Sequence, residues 1–138
     1  MRILLTADPE LPVPPGQYGG IERLVDLWRR ELRERGHVVG LVARHDSTAE
    51  CDFFRGWPGA RSQSRRDAWR NTLALRRAAQ EFRADVVHSS SRLIYTLPLL
   101  LRGTPVLQTY HRIPGTRQTG IAARLGRRLM FTGVSDFI

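Results

Sequence analysis

A chain of 138 residues has room for one domain that buries roughly two thirds of its unfolded surface, and 41% hydrophobic residues exclude a disordered polymer. The 22 basic residues are all arginine and stand against 13 acids, a net charge of +9; the excess suits phosphate, nucleic acid or an anionic membrane surface, while the absence of lysine reads as codon bias. The lone Cys51 excludes an internal disulfide and a Cys-based zinc cluster, and the apolar runs at the N-terminus and over 93–101 are too short for a signal peptide or a bilayer span.

The first element is a buried parallel strand over residues 3–6, whose continuous apolar run suits burial on both faces. A long loop follows from Asp8 to Gly20, where four prolines and three glycines forbid regular structure. From Ile21 the apolar residues Leu24, Val25, Trp28 and Leu32 fall on one face of a helix, with Asp26/Arg30 and Glu31/Arg35 as i,i+4 pairs on the other side. Gly36 ends it, and residues 38–43 form a second buried strand.

Residues 44–64 are ambiguous, with Cys51–Phe54 as a candidate short strand before the Gly56-Trp57-Pro58-Gly59 turn. A helix is expected over Arg65–Phe82, with Trp69, Leu73, Ala79 and Phe82 inward and arginines crowding the exposed side. A third strand at 85–88, a Ser89-Ser90-Ser91 turn and an apolar helix over Leu93–Leu101 come next. The strand 106–110 then delivers His111 at its carboxyl end. A helix over 117–129, a strand over 131–134 and the start of another helix at Ser135 complete the order.

This alternation implies an α/β fold with a Rossmann-like, doubly wound parallel sheet and right-handed crossovers, with helices on both faces. Ligands of such sheets sit outside the carboxyl ends of the strands. Three stretches meet that rule: the Gly-rich loop after the first strand, His88 with its serines, and His111 with Arg112. Gly19-Gly20 opens a helix, where unpaired N–H groups can hold a diphosphate or where two glycines simply permit a turn. The order of glycines is neither a dinucleotide fingerprint nor a P-loop. His111 can exchange hydrogen bonds with a ligand hydroxyl and titrates near neutrality, or is a loop histidine without a role. His88 is a rim residue or a satisfied polar cap. Asp8 and Glu22 are the acids nearest the crevice, although the helix dipole alone favours Glu22 where it stands.

The runs Pro14-Pro15-Gly16-Gln17-Tyr18-Gly19-Gly20-Ile21-Glu22-Arg23-Leu24-Val25, Leu32 to Val39, Ala84-Asp85-Val86-Val87-His88-Ser89, Thr104 to His111 and Gly133-Val134-Ser135 together resemble the N-terminal domain of glycosyltransferase family 4. The resemblance covers essentially the whole chain. It implies the acceptor-side half of a GT-B architecture over residues 1–138, with the donor-binding C-terminal domain outside this chain. It further implies that Gly19 and Gly20 approach the donor diphosphate and that His111 lies against the donor sugar at the reaction centre. His88, Ser89 and Arg112 fall on the acceptor side or rim. The reaction implied is retaining and metal-independent, with no cofactor beyond a nucleoside-diphosphate sugar as donor and a hydroxyl acceptor. The family's donor-binding Arg and Lys and its paired glutamates have no counterpart here, so the chain alone is expected to be inactive.

The different class of function that fits is a non-catalytic Rossmann-like module that binds an anionic membrane or another polyanionic surface. Six arginines between positions 61 and 77 surround Trp69, which makes Arg65, Arg66 and Arg70 candidates for anion contact, or else a solvated helix face. Nucleic-acid binding is not expected, because no helix-turn-helix, zinc or aromatic RNA-binding signature accompanies the charge. These features point to a cytoplasmic protein, peripheral on the inner face of the membrane where the arginines act.

Overall fold

A computed structural model describes residues 1–111 and 116–133. Among them six strands form one parallel sheet: β1 (Arg2–Thr6), β2 (Val38–Ala43), β3 (Phe53–Gly56), β4 (Val86–Ser89), β5 (Val106–Tyr110) and β6 (Leu129–Gly133). Their order across the sheet is β3-β2-β1-β4-β5-β6, so the chain reverses direction of travel between β1 and β4. That boundary is the switch point where ligands of this fold bind.

The helices are α1 (Gly20–Glu34), α2 (Arg65–Phe82), α3 (Leu97–Leu101) and α4 (Thr116–Leu125), with a 3-10 turn over Leu93–Thr96 leading into α3. Alternate residues of β1, β2 and β4 feed two separate cores, as the period of two requires. Ile3, Leu5, Val39 and Leu41 pack under Val25 of α1 on one face. Leu4, Val42, Val87 and Val106 pack under Leu75, Phe82, Tyr95 and Leu99 on the other. Burying side chains of this size contributes roughly 1.5–3 kcal/mol each, so both faces of β1 and β2 are committed.

The expected strands at 3–6, 38–43, 85–88, 106–110 and 131–134 are all present with small shifts at their ends, and the Cys51–Phe54 candidate is the edge strand β3, displaced by two residues. Val134 and the helix start at Ser135 lie outside the described residues. Three expectations need correction. The expected helix over 117–129 stops at Leu125, because Gly126 turns the chain and Leu129 already pairs with Val106 in the sheet. The stretch Leu93–Leu101 is a 3-10 turn followed by a short α-helix, with Pro98 accommodated in its first turn. Trp69 does not face inward: it is 66% exposed. Ala79 and Phe82 are buried as expected, and the rest of the buried face of α2 is Asn71, Thr72, Leu75 and Ala78. Asn71 can take a core position because its amide bonds both the N–H and the C=O of Gly59, at 2.8 and 3.1 Å.

The long loop after β1 is pinned. Val13 is fully buried, its N–H bonds Ser47 Oγ at 2.9 Å, and its carbonyl accepts from the N–H groups of Thr48 and Ala49, each at 3.0 Å. The Trp57 indole donates to Ala7 O at 2.7 Å. A proline-rich segment is thereby held at the mouth of the sheet.

Candidate functional site

A cleft of about 1330 Å³ runs along the carboxyl ends of β1, β4 and β5. One side is the start of α1. Gly19 caps that helix with φ 138°, a conformation that favours glycine, and a Cβ there would stand 2.7 Å from Glu22 Oε2 and 2.8 Å from Pro15 Cβ. The missing side chain of Gly19 is therefore used by the protein's own packing. Gly20 has nothing within 4 Å of an ideal Cβ, so its backbone is the part open to a ligand.

The first intrahelical bond runs from Arg23 N–H to Gly19 O at 3.1 Å, which leaves the N–H groups of Gly20, Ile21 and Glu22 as the unpaired donors of the first turn. Glu22 is 5% exposed. Burial pushes its carboxyl above the usual range, against the bond it accepts from its own backbone N–H, and Glu10 adds to the rise. With Glu22 occupying its own N–H, the first-turn donors of Gly20 and Ile21, two residues that line the cleft, are left for an external anion.

The floor is built from the ends of β4 and β5. His111 lines it, half-buried, with Nε2 lacking a hydrogen-bond partner among the described residues. Its burial holds the imidazole below the ordinary histidine value, which favours the neutral ring near neutral pH. Ser90 and Gln108 line the same floor. Their Oγ and Oε1 atoms also have no partner among the described residues.

His88 lies elsewhere. It projects from β4 to the α1 face, where its ring stacks on Trp28 with centroids 4.3 Å apart and Nε2 pairs with Thr109 Oγ1 at 2.8 Å. Trp28 in turn stands 6.5 Å from the His111 ring. Burial, with a smaller contribution from the nearby His111, pushes His88 down to about 4. Ser89 is also withdrawn from the cleft, since it closes a triangle of hydroxyls with Thr6 and Ser91 at 3.2, 3.2 and 2.8 Å. This triangle ties β1 to β4 at the switch point. Arg112 lies outside the described residues.

The opposite side of the cleft is α2 and the 3-10 turn. Arg65 and Trp69 line it together with Ile94. Arg65, Arg66 and Arg70 are all exposed, and among the described residues Arg70 leans on the carboxylate of Asp67 at 3.9 Å. The cleft thus brings together His111, Gly19, Gly20 and Arg65 from the sequence expectations, and leaves His88 and Ser89 beneath it. It also contains Ser90 and Gln108, which no periodicity marks, because a buried polar group without a partner has no sequence signature.

The family model described as Glycosyltransferase Family 4 matches residues 18–135. No curated protein matches the chain. Among solved structures, a glycosyltransferase from Rickettsia africae superposes with a TM-score of 0.67 at 17% identity, over 99% of this chain and 37% of that one. MurG from Acinetobacter baumannii gives 0.64 at 14% identity, over 94% and 41%. Sucrose-phosphate synthase from Thermosynechococcus elongatus gives 0.58 at 15% identity, over 90% and 38%. The chain spans about two fifths of the length of these proteins, and at such identities the likeness is one of fold. A family match over residues 18–135, laid on a six-stranded sheet whose cleft sits at the switch point, leads to one assignment: the chain belongs to glycosyltransferase family 4, with the fold of the N-terminal half of a GT-B enzyme.

Proposed function

We propose that this chain is the acceptor-side domain of a retaining, metal-independent glycosyltransferase that moves a sugar from a nucleoside-diphosphate sugar to an acceptor hydroxyl. In that reaction the acceptor oxygen bonds the anomeric carbon, the nucleoside diphosphate departs, and the hydroxyl proton is released. The observation that carries the proposal is the convergence on one cleft of Gly20 and Ile21, whose N–H groups belong to the unpaired first turn of α1, with His111 Nε2, which has no partner among the described residues. The positive end of α1 suits the charge that gathers on a departing diphosphate, and a neutral imidazole can orient a sugar hydroxyl without becoming covalently attached.

A second domain or subunit supplies the rest of the donor site in this proposal, and the work is done in the cytoplasm. Residues 1–138 are therefore expected to give no transfer when assayed alone with nucleoside-diphosphate sugars, because donor binding energy is needed to reach the transition state. Together with the donor-binding domain they are expected to transfer. Turnover by residues 1–138 alone would overturn the division of labour. A combined protein that consumes no nucleotide-sugar would overturn the transferase assignment.

The arginine face of α2 adds an anionic membrane surface as a partner in this proposal. Arg65, Arg66 and Arg70 are exposed around an exposed Trp69 at the edge of the cleft, and each basic side chain near an anionic bilayer contributes about 1 kcal/mol. No helix among the described residues is long and apolar enough to cross a membrane, so contact would be peripheral. Sedimentation with anionic but not neutral vesicles is expected, weakened by salt as screening shortens and by changing Arg65, Arg66 and Arg70 together to Gln. Equal sedimentation of the triple variant would remove this helix from membrane contact.

A further inference from the structure

Gln108 is 1% exposed and Ser90 is 6% exposed, yet Gln108 Oε1 and Ser90 Oγ have no partner among the described residues. Buried polar groups are nearly always hydrogen-bonded, and leaving one unmade costs about 1–3 kcal/mol. Both side chains line the cleft floor beside His111. The Gln108 amide is also fixed in orientation. Its Nε2 donates to Ser91 O at 2.8 Å, and a flip would set its carbonyl oxygen against that of Ser91. Oε1 is therefore presented as an acceptor only, and nothing but an O–H or N–H donor satisfies it. Ser90 adds a hydroxyl that can turn either way, on a backbone held by its N–H bond to Thr6 O at 3.2 Å.

Against this polar floor stands an apolar wall made by Leu97 and Leu100 of α3 and Ile121 and Ala122 of α4. A pyranoside has the matching anatomy, a C–H face and a rim of hydroxyl donors. We propose that Ser90 and Gln108 form a subsite that reads free hydroxyls on a sugar acceptor, with the sugar's apolar face against α3 and α4. The proposal rests on the transferase assignment and narrows it: the acceptor is a sugar, and Gln108 rejects an acceptor whose hydroxyl has been removed or capped. A free sugar and a sugar on a lipid carrier share this chemistry.

Amide NMR of residues 1–138 tests it, titrating the methyl glycosides of glucose, galactose and mannose against their fully O-methylated counterparts. At least one free-hydroxyl glycoside is expected to shift the Ser90, Ser91 and Gln108 amides, while its O-methylated form, which keeps the ring and loses every O–H, does not. Ser90→Ala removes an oxygen that has no partner among the described residues, so it is expected to fold normally and to weaken the glycoside about tenfold. Gln108→Leu is expected to weaken it at least as much. An octyl aglycone that tightens binding would point to a sugar on a lipid carrier whose tail continues past the sugar, and one that leaves affinity unchanged would point to a free sugar.

Equal binding of O-methylated glycosides, no binding of any glycoside, or variants with unaltered affinity would each overturn the subsite. So would a lower melting temperature in both variants with binding intact, since that is the behaviour of polar atoms bridged by a single structural water. Transfer by the two-domain protein to a non-sugar hydroxyl, with no glycoside bound, would sink the sugar subsite and leave the transferase assignment standing.

Discussion

His111→Ala in the protein that carries both domains is expected to lower transfer on the order of 10²-fold, the usual effect of removing one positioned hydrogen-bonding group from a reaction centre. The same change should move unfolding free energy by no more than about 1 kcal/mol. His111 sits just past the end of β5, half-buried, and its Nε2 has no partner among the described residues, so its loss orphans nothing through that atom. Steady-state kinetics and a melt of the same preparation separate the two effects. Burial holds the imidazole below its ordinary value. The neutral ring therefore persists to lower pH than in a free histidine, and the acid limb of the rate profile should fall below pH 6.5. His111→Asn keeps hydrogen-bonding capacity without titrating and should flatten that limb while restoring part of the rate. A variant that loses stability and activity in parallel would mean that His111 holds the β5 terminus together and has no place in the reaction.

The sheet was legible because short apolar runs alternate with helical periodicity, and both signals come from burial. β2 and α2 agree with the expected residues 38–43 and Arg65–Phe82 to the residue. Ala79 and Phe82 of α2 are buried as expected and Trp69 is not, for a physical reason. Trp69 and Leu73 lie four apart and read as a buried stripe, but the residues that pack are Asn71, Thr72, Leu75 and Ala78. A polar pair holds the core position because Asn71 is satisfied by the Gly59 backbone and by the Tyr95 hydroxyl, partners 12 and 24 residues away that no local pattern reveals.

The site was legible in part for the same reason. The carboxyl-end rule puts His88, Ser89 and His111 in one neighbourhood, but the alternation of side chains along β4 sends His88 to the α1 face and Ser89 to the other. What decides a strand residue's surroundings is which face it takes relative to the crossover helix. That follows from register, here Leu5 beside His88 and Thr6 beside Ser89. Helical spacing places Trp28 in the core stripe of α1, and the ring it meets there is an imidazole.

That imidazole gives the protein a steep response to acid. Folded His88 takes up a proton only near pH 4, because burial against Trp28 penalises the charged ring and the neighbouring His111 adds to the penalty. An unfolded chain protonates the same group near 6.5. Between those values the unfolded state binds more protons than the native state, so stability falls as pH falls from 6.5 towards 4. Each tenfold difference in proton affinity between the two states corresponds to about 1.4 kcal/mol, which puts the full loss at about 3 kcal/mol, a large part of the roughly 5–15 kcal/mol that holds a domain of this kind together. His111, also held low, acts in the same direction. Glu22 acts in the opposite one, because a raised carboxyl pKa lets the folded state take a proton first. Comparing wild type with His88→Asn at each pH cancels Glu22 and all of His111 except its coupling to His88. The variant loses the stack on Trp28, so its urea midpoint should be lower at pH 7.5. Its decline between pH 6.5 and 4.5 should be distinctly shallower, so that the two curves converge on acidification. Asp46, held below its usual range by Arg44, titrates below that window and does not enter the difference. Parallel curves from pH 7.5 to 4.5 would mean that His88 accepts its proton in the folded state as readily as in the unfolded one, and that its place beneath α1 is open to water.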